Sequence, residues 1–153
     1  MLYKANIYQL RKKKILYLFN NLRGIKVLQY LYKKKKIKKY EILIARKFLN
    51  KKIKMILKKK KLKFNIIDLP KNNSKILKKI AQCDFVVACG FPYILSQKLI
   101  QTSRNGIINC HAGKLPEYRG GSPLNWQLIN NEKNFGISVI KINRGWWWWE
   151  SLK

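Results

Sequence analysis

Residues 84–110 read DFVVACGFPYILSQKLIQTSRNGIINC, and they contain two short apolar runs joined by a longer amphipathic segment. The runs at residues 84–89 and 106–110 are largely apolar, which is typical of strands buried on both faces. Residues 92–100 predict a helix between them, with Pro92 in the first turn, where proline is tolerated. A buried strand, a helix and a second buried strand predict a parallel βαβ unit.

The same alternation extends through the rest of the chain. Further strands are predicted at residues 15–19, 41–45, 64–69 and 135–142, and further helices at residues 23–32, 47–57, 73–81 and 122–130. Right-handed crossovers then give an α/β fold, a Rossmann-like, doubly wound and mostly parallel sheet with helices on both faces. Ligands of such sheets bind beyond the carboxyl ends of the strands. A dinucleotide site is not expected, because the first predicted turn, FNNLRG, has one glycine.

The chain is strongly basic. Its 153 residues include 35 Lys and Arg against 6 Asp and Glu, a formal charge of +29. Such a charge favours nucleic-acid partners in general. The preferred interpretation is compositional, because Lys is accompanied by Ile, Asn, Tyr, Leu and Phe, the residues that an AT-rich genome encodes. A non-catalytic basic protein that binds nucleic acid stays open as an alternative.

Cysteine and hydropathy patterns limit the other classes of protein. The three cysteines include no CxxC pair, and the chain has one histidine, so neither a disulfide framework nor a metal site is expected. No run approaches the roughly 18 apolar residues of a spanning helix, and the first residues lack a signal-peptide core. We therefore expect a cytoplasmic protein without membrane insertion.

The candidate chemistry lies in residues 106–126, GIINCHAGKLPEYRGGSPLNW. Asn109 and His111 are two residues apart at a predicted strand end, so their side chains lie on the same side of the strand. An amide beside an imidazole is suited to an oxygen that becomes negatively charged. Arg119 in the following loop offers a fixed fork of donors for an anionic group.

These residues carry a resemblance to a known family. Asn109-Cys-His111, Leu115-Pro116-x-Tyr118-Arg119-Gly120 and Ser122-Pro-Leu-Asn-Trp126 together resemble the signature of the formyltransferases that use 10-formyltetrahydrofolate. The similarity continues through residues 84–95 and 135–139, and weakly back to residue 15. Members of that family act on methionyl-tRNA, glycinamide ribonucleotide or amino-sugar nucleotides.

The resemblance implies direct transfer, in which an unprotonated primary amine attacks the formyl carbon of the folate. Asn109 and His111 are then the catalytic residues that stabilise the oxyanion, and His111 also moves protons. The implied cofactor-binding residues are Cys89, Gly90, Phe91, Pro92, Tyr93, Ile94 and Leu95. The implied residues on the acceptor side are Lys114, Leu115, Pro116, Tyr118, Arg119, Gly120, Gly121 and Ser122. No metal is implied.

The match to the family pattern ends at a run of four tryptophans, residues 146–149. The family has an aspartate in a Gly-x-Asp-x-Gly loop at this point, and Trp147 occupies its position. Glu150 lies past the loop at an expected frayed end, so it is not expected to substitute. We interpret the run as an artefact or a truncated gene end rather than a membrane-interface anchor, and expect little or no transfer by the chain as written.

Three segments are therefore expected: a basic N-terminal extension at 1–13, an incomplete formyltransferase catalytic domain at 14–145, and an aberrant tail at 146–153. Residues 119–126, RGGSPLNW, look more like the sugar-modifying members of the family than the tRNA members. The resemblance thus favours an amino-sugar nucleotide as the acceptor, with methionyl-tRNA as the alternative. The oligomeric state is left open.

Overall fold

A computed structural model describes residues 13–33, 39–46, 49–68, 73–142 and 150–151. The strands in these ranges are β1 (Lys14–Phe19), β2 (Lys39–Ala45), β3 (Asn65–Ile67), β4 (Phe85–Cys89), β5 (Ile107–His111), β6 (Ser138–Ile142) and β7 (Glu150–Ser151). The helices are α1 (Leu22–Lys33), α2 (Lys51–Lys59), α3 (Asn73–Ala81), α4 (Gln97–Thr102) and α5 (Pro123–Ile129). Among the described residues, no helix combines the length and the apolar character needed to span a bilayer.

The strands form one sheet in the order β3-β2-β1-β4-β5-β6-β7. Strands β1 to β5 are parallel to one another, whereas β6 is antiparallel to β5 and β7 is antiparallel to β6. The predicted doubly wound, mostly parallel sheet is confirmed. The direction of the strand order reverses between β1 and β4, so a crevice is expected beyond their carboxyl ends.

Two apolar layers cover the sheet, because successive side chains of each strand point to opposite faces. On one face, Tyr17 and Phe19 of β1 pack with α1 and α2. On the other, Leu16 and Leu18 pack with α3 and α4. Because the strands are buried on both faces, they appear in the sequence as continuous apolar runs.

Two predicted helices begin later than expected because capping side chains set their first turns. The helix predicted at residues 92–100 is wrong in its first turn: α4 begins at Gln97, after Ser96 accepts a hydrogen bond from the backbone N–H of Leu99. Residues 91–95 are a loop instead. In the same way, α2 begins at Lys51 because the Asn50 side chain accepts from the Ile53 amide at 2.9 Å.

Other differences concern strand ends. The strand predicted at residues 64–69 is limited to β3, and residues 135–137 precede β6 as a loop. The expectation of a frayed end at Glu150 is wrong, since Glu150 in β7 pairs with Lys141 of β6. The N-terminal extension up to residue 12, Trp147 and the rest of the tryptophan run lie outside the described residues.

Candidate active site

The two predicted catalytic residues lie at the carboxyl end of β5. Asn109 and His111 are both half-buried, and strand alternation places them on the same face as Ile107. That face carries the apolar layer against which Phe91 and Leu95 pack. The structure therefore brings the predicted catalytic pair and the predicted cofactor loop to one side of the sheet. No described residue hydrogen-bonds the Asn109 side chain, so its amide can serve a ligand.

His111 has a defined orientation. Its Nε2 lies 2.7 Å from the backbone carbonyl oxygen of Tyr118. A carbonyl oxygen only accepts hydrogen bonds, so Nε2 carries the hydrogen in this arrangement. Nδ1, which makes no hydrogen bond within the described part of the chain, is the nitrogen left to exchange a proton.

Gly113 is required by the contacts around this imidazole. A Cβ added there would lie 2.8 Å from Nε2 of His111 and 2.7 Å from the carbonyl oxygen of Tyr118. It would also lie 2.7 Å from the Cβ of Pro123. Any side chain at this position would displace the histidine or the loop that holds it.

Two side chains that the sequence did not single out hold the loop after β5. Gln127 of α5 has no exposed surface, donates to the carbonyl of Ala112 at 3.1 Å and accepts from the N–H of Gly136 at 2.7 Å. Ser138 donates to the carbonyl of Gly113 at 2.8 Å. These bonds join the loop to α5 and β6. The bonded residues are 9 to 25 positions apart in the sequence, so no local sequence pattern predicted the bonds.

The predicted cofactor residues divide between a buried strand end and an open loop. Cys89 is buried and Gly90 turns the chain with φ +64, where a Cβ would collide with the Asn21 side chain at 1.8 Å. Within the described part of the chain, no hydrogen bond uses the backbone groups of residues 91–95. Phe91 and Tyr93 make an edge-to-face ring contact with centroids 5.7 Å apart.

These features fit a pterin. A planar heterocycle with donors and acceptors around its rim needs an apolar wall and unpaired backbone groups beside it. The loop offers both, and Ile94 is 76% exposed, so its side chain is available to cover a ligand. The residues present therefore suit the folate that the family resemblance implies.

The predicted acceptor-side residues follow an exposed path around His111, the predicted catalytic histidine. Lys114, Pro116, Arg119, Gly120, Gly121 and Ser122 are exposed, and Leu115 is half-buried. A Cβ at Gly120 or Gly121 would meet nothing within 4 Å, so open space adjoins the turn. Tyr118 differs from the others: its side chain is 8% exposed, and its hydroxyl donates to Glu132 at 2.7 Å.

Behind the predicted catalytic pair, on the opposite face of the sheet, two thiols are neighbours. Cys89 of β4 and Cys110 of β5 are in register, and a hydrogen bond between their side chains lowers the pKa of Cys110 to about 7. The same bond, together with burial, raises the pKa of Cys89. Both are free thiols. The described residues contain no cluster of three or more metal-ligating side chains.

A cleft of about 330 Å³ lies along the same edge of the sheet, beyond β1. It is lined at the starts of α1 and α2 by polar, basic and apolar side chains, namely Asn20, Asn21, Leu22, Arg23, Asn50, Lys52 and Ile53. Asn20 fixes its floor by bridging to Ala45 at the end of β2, with bonds of 2.8 and 3.3 Å. Two cations beside helix N-termini make this cleft suited to an anionic group.

Comparisons with known proteins agree with this architecture. The family model described as formyl transferase matches residues 32–146. The methionyl-tRNA formyltransferase of Geobacter metallireducens is 45% identical over 62 residues, which are 40% of this chain and 20% of that protein. The phosphoribosylglycinamide formyltransferase structure from Streptococcus pneumoniae TIGR4 matches with a TM-score of 0.74 at 15% identity, covering 93% of this chain and 79% of that one.

A sugar N-formyltransferase structure from Shewanella sp FDAARGOS_354 matches with a TM-score of 0.66 at 17% identity, over 92% of this chain and 57% of that one. At such identities these structures show a common fold. The matched segment spans about a fifth of the length of the curated Geobacter relative. The family match, in contrast, covers most of the chain and both halves of the site. The chain therefore belongs to the formyl transferase family, whose formyl donor is 10-formyltetrahydrofolate.

Proposed function

We propose that this chain transfers the formyl group of 10-formyltetrahydrofolate to a primary amine, and that the acceptor is an amino-sugar nucleotide. The observation that carries the proposal is the placement of Asn109 and His111 on the sheet face where loop 91–95 packs. A hydrogen-bond donor and a proton carrier then share a sheet face with a loop whose apolar wall and unpaired backbone groups suit a pterin.

The two catalytic side chains have separate tasks. When bound, the folate supplies a formyl carbon whose oxygen becomes negative as the amine attacks. Asn109 donates an amide N–H to that oxygen, and loss of one such donor typically costs about 2.7–4 kcal/mol of barrier. Nδ1 of His111 would take the proton of the attacking amine and return it to the folate nitrogen as the bond from that nitrogen to the formyl carbon breaks, so that tetrahydrofolate leaves.

The cleft beyond β1 supports a phosphate-bearing acceptor. It opens beyond the carboxyl end of β1, two strand positions from β5 in the sheet order, at the starts of the helices that cover the face opposite Asn109 and His111, so an acceptor bound there would extend across the strand ends. Arg23 and Lys52 in the cleft would bind a phosphate while the amine reaches the catalytic pair. Arg119 and the open turn at Gly120 lie on the loop that follows the catalytic histidine, where a sugar would have room.

Methionyl-tRNA is the second candidate. The observation that favours it is the 45% identity to a methionyl-tRNA formyltransferase over 62 residues. A charge of +29 would also assist tRNA binding. The shared segment covers a fifth of that relative, so the acceptor-recognising parts of the two proteins are not compared.

The first experiment measures folate binding to the chain as it is. We expect tetrahydrofolate to raise the thermal unfolding temperature, because a ligand that binds the native state stabilises it by mass action. Transfer is then measured by mass spectrometry with a Trp147→Asp variant, 10-formyltetrahydrofolate and, separately, a nucleotide-linked amino sugar and methionyl-tRNA. His111→Ala in the same background should abolish transfer, whereas Asn134→Ala, at an exposed position, should not.

The outcomes separate the candidates. Formylation of the amino sugar alone supports the proposed acceptor, and formylation of methionyl-tRNA alone supports the second candidate. A folded Trp147→Asp protein that formylates neither acceptor, and whose unfolding temperature is unchanged by folate, would refute formyl transfer as the function of this chain.

A further inference from the structure

Tyr118 connects the catalytic histidine to a carboxylate on the far side of the loop. Its backbone carbonyl accepts the hydrogen bond from Nε2 of His111 at 2.7 Å. Its hydroxyl donates to Oε1 of Glu132, also at 2.7 Å, and accepts from Nδ2 of Asn130 at 3.3 Å. The tyrosine therefore has one end on the imidazole and the other on residues that follow α5.

The carbonyl contact determines which tautomer the neutral imidazole adopts. A neutral imidazole has one N–H, and the carbonyl of Tyr118 requires that N–H at Nε2. Were the carbonyl to move away, the proton could occupy either nitrogen. Nδ1 would then lose its lone pair for part of the time, and could not accept a proton from the attacking amine during that time.

Two hydrogen bonds fix Tyr118 besides the one to the imidazole: its backbone N–H donates to the carbonyl of Lys114 at 2.9 Å, and its buried side chain is bonded to Glu132. Tyr118 is 8% exposed, whereas Arg119, Gly120 and the following residues of the turn are exposed. The hydrogen bond from the phenol to the Glu132 carboxylate raises the pKa of Tyr118. A hydrogen bond to an ionised acceptor is stronger than one between neutral groups, so Glu132 is an effective anchor for the ring.

We propose that Glu132 is a positioning residue, which acts through Tyr118 to keep the proton of neutral His111 on Nε2 and its Nδ1 lone pair free. Glu132 is joined to the site through the tyrosine and is not itself a catalytic residue. The catalytic meaning of this role rests on the proposed function, but the tautomer itself does not.

Nitrogen NMR tests the tautomer directly, because the chain contains a single histidine. Spectra of ¹⁵N-labelled protein are recorded for the full chain. We expect the wild type to show Nε2 protonated and Nδ1 unprotonated. Glu132→Ala should produce a detectable Nδ1–H population, and Glu132→Gln, which keeps an acceptor for the phenol, should restore the wild-type pattern. Glu117→Ala, an exposed glutamate on the same loop, is the matched control.

Tyr118→Phe provides a second variant in case Glu132→Ala fails to fold. It removes the hydroxyl but keeps the ring and the carbonyl, and it should also produce an Nδ1–H population. The proposal is overturned if the wild type already has Nδ1 protonated. It is equally overturned if the folded Glu132→Ala or Tyr118→Phe protein keeps the wild-type pattern.

Kinetics provide the second readout and separate this inference from the proposed function. In the Trp147→Asp background, Glu132→Ala should lower kcat more than it raises KM, and Glu132→Gln should recover most of the loss. If Glu132→Ala changes KM and leaves kcat unaltered, the role of Glu132 is only structural and the proposal is overturned. If no variant transfers a formyl group and folate leaves the unfolding temperature unchanged, the proposed function fails, while the NMR result on His111 stands or falls independently.

Discussion

Replacing Gln127 by leucine should destabilise the protein more than any exposed glutamine substitution. Leucine has nearly the same volume but can neither donate to Ala112 nor accept from Gly136. The third contact of Gln127, to the Gly136 carbonyl at 3.4 Å, is long and contributes little. Two backbone groups are therefore left without their partners.

The magnitude follows from how well water can reach those two groups. A buried group that loses its partner costs about 1–3 kcal/mol. Ala112 and Gly136 are half-buried, so solvent can partly replace the lost bonds and the lower part of the range applies. We expect Gln127→Leu to lower the free energy of unfolding by about 2–3 kcal/mol, a substantial share of the 5–15 kcal/mol typical of a domain.

Urea unfolding at equilibrium measures the change, with an unaltered slope indicating that the native state is otherwise intact. Gln101→Leu, at an exposed position of α4, is the control and should change stability by less than about 0.5 kcal/mol. Hydrogen exchange of the Gly136 amide should accelerate in the Gln127 variant alone. A Gln127→Leu protein that unfolds at the wild-type urea concentration, with Gly136 still protected, would refute the reasoning.

Three further outcomes are expected. In the Trp147→Asp background, Gly113→Ala should lower the rate of formyl transfer about 100-fold, because the added methyl group displaces the imidazole, and an unchanged rate would contradict this. Cys110 should be alkylated by iodoacetamide with a midpoint below that of an ordinary cysteine thiol, as followed by peptide mass spectrometry, and substitution of Cys89 by alanine should move that midpoint upward. Burial raises the pKa of Glu41, but hydrogen bonds from Lys14 and Lys79 outweigh this effect, so the net pKa is lowered. The ionised Glu41 therefore stabilises the protein above the ordinary carboxylate pKa, and this stabilisation is lost as the pH falls. Glu41→Gln should therefore flatten the loss of stability in acid measured by urea unfolding, and an identical pH profile would count against the ion pairs.

The fold was predictable because β1, β4 and the strands beside them are buried on both faces, which leaves continuous apolar runs in the sequence. Helix starts were less predictable, because they depend on one side chain. Ser96 caps α4 five residues after Phe91, and the apolar spacing of the loop between them imitates a first helical turn. Proline at position 92 is compatible with either structure, so local pattern alone could not decide between them.

The catalytic pair could be proposed from its motif, but the residues that support it could not. Helix α5 reads PLNWQLI, and amphipathic reasoning would bury its apolar side chains. The structure does the opposite: Trp126, Leu128 and Ile129 are 54%, 58% and 65% exposed, and Gln127 is fully buried. A polar residue is buried there because backbone groups of two distant segments need partners, and that need arises only when the fold forms.

The basic surface and the candidate active site contribute to different activities, and a nucleic-acid binding assay alone would not distinguish them. Any chain with a charge of +29 is expected to bind nucleic acid at low salt, with an affinity that falls steeply as salt rises. Such binding therefore supports neither tRNA as the acceptor nor a non-catalytic function. What distinguishes the hypotheses is dependence on His111, since a charge-driven interaction is indifferent to one half-buried imidazole whereas formyl transfer is not. Suppose that nucleic-acid binding is unchanged in His111→Ala and that the wild type binds folate. This result would indicate that the basic surface binds nucleic acid and that the chemistry takes place at the carboxyl end of β5.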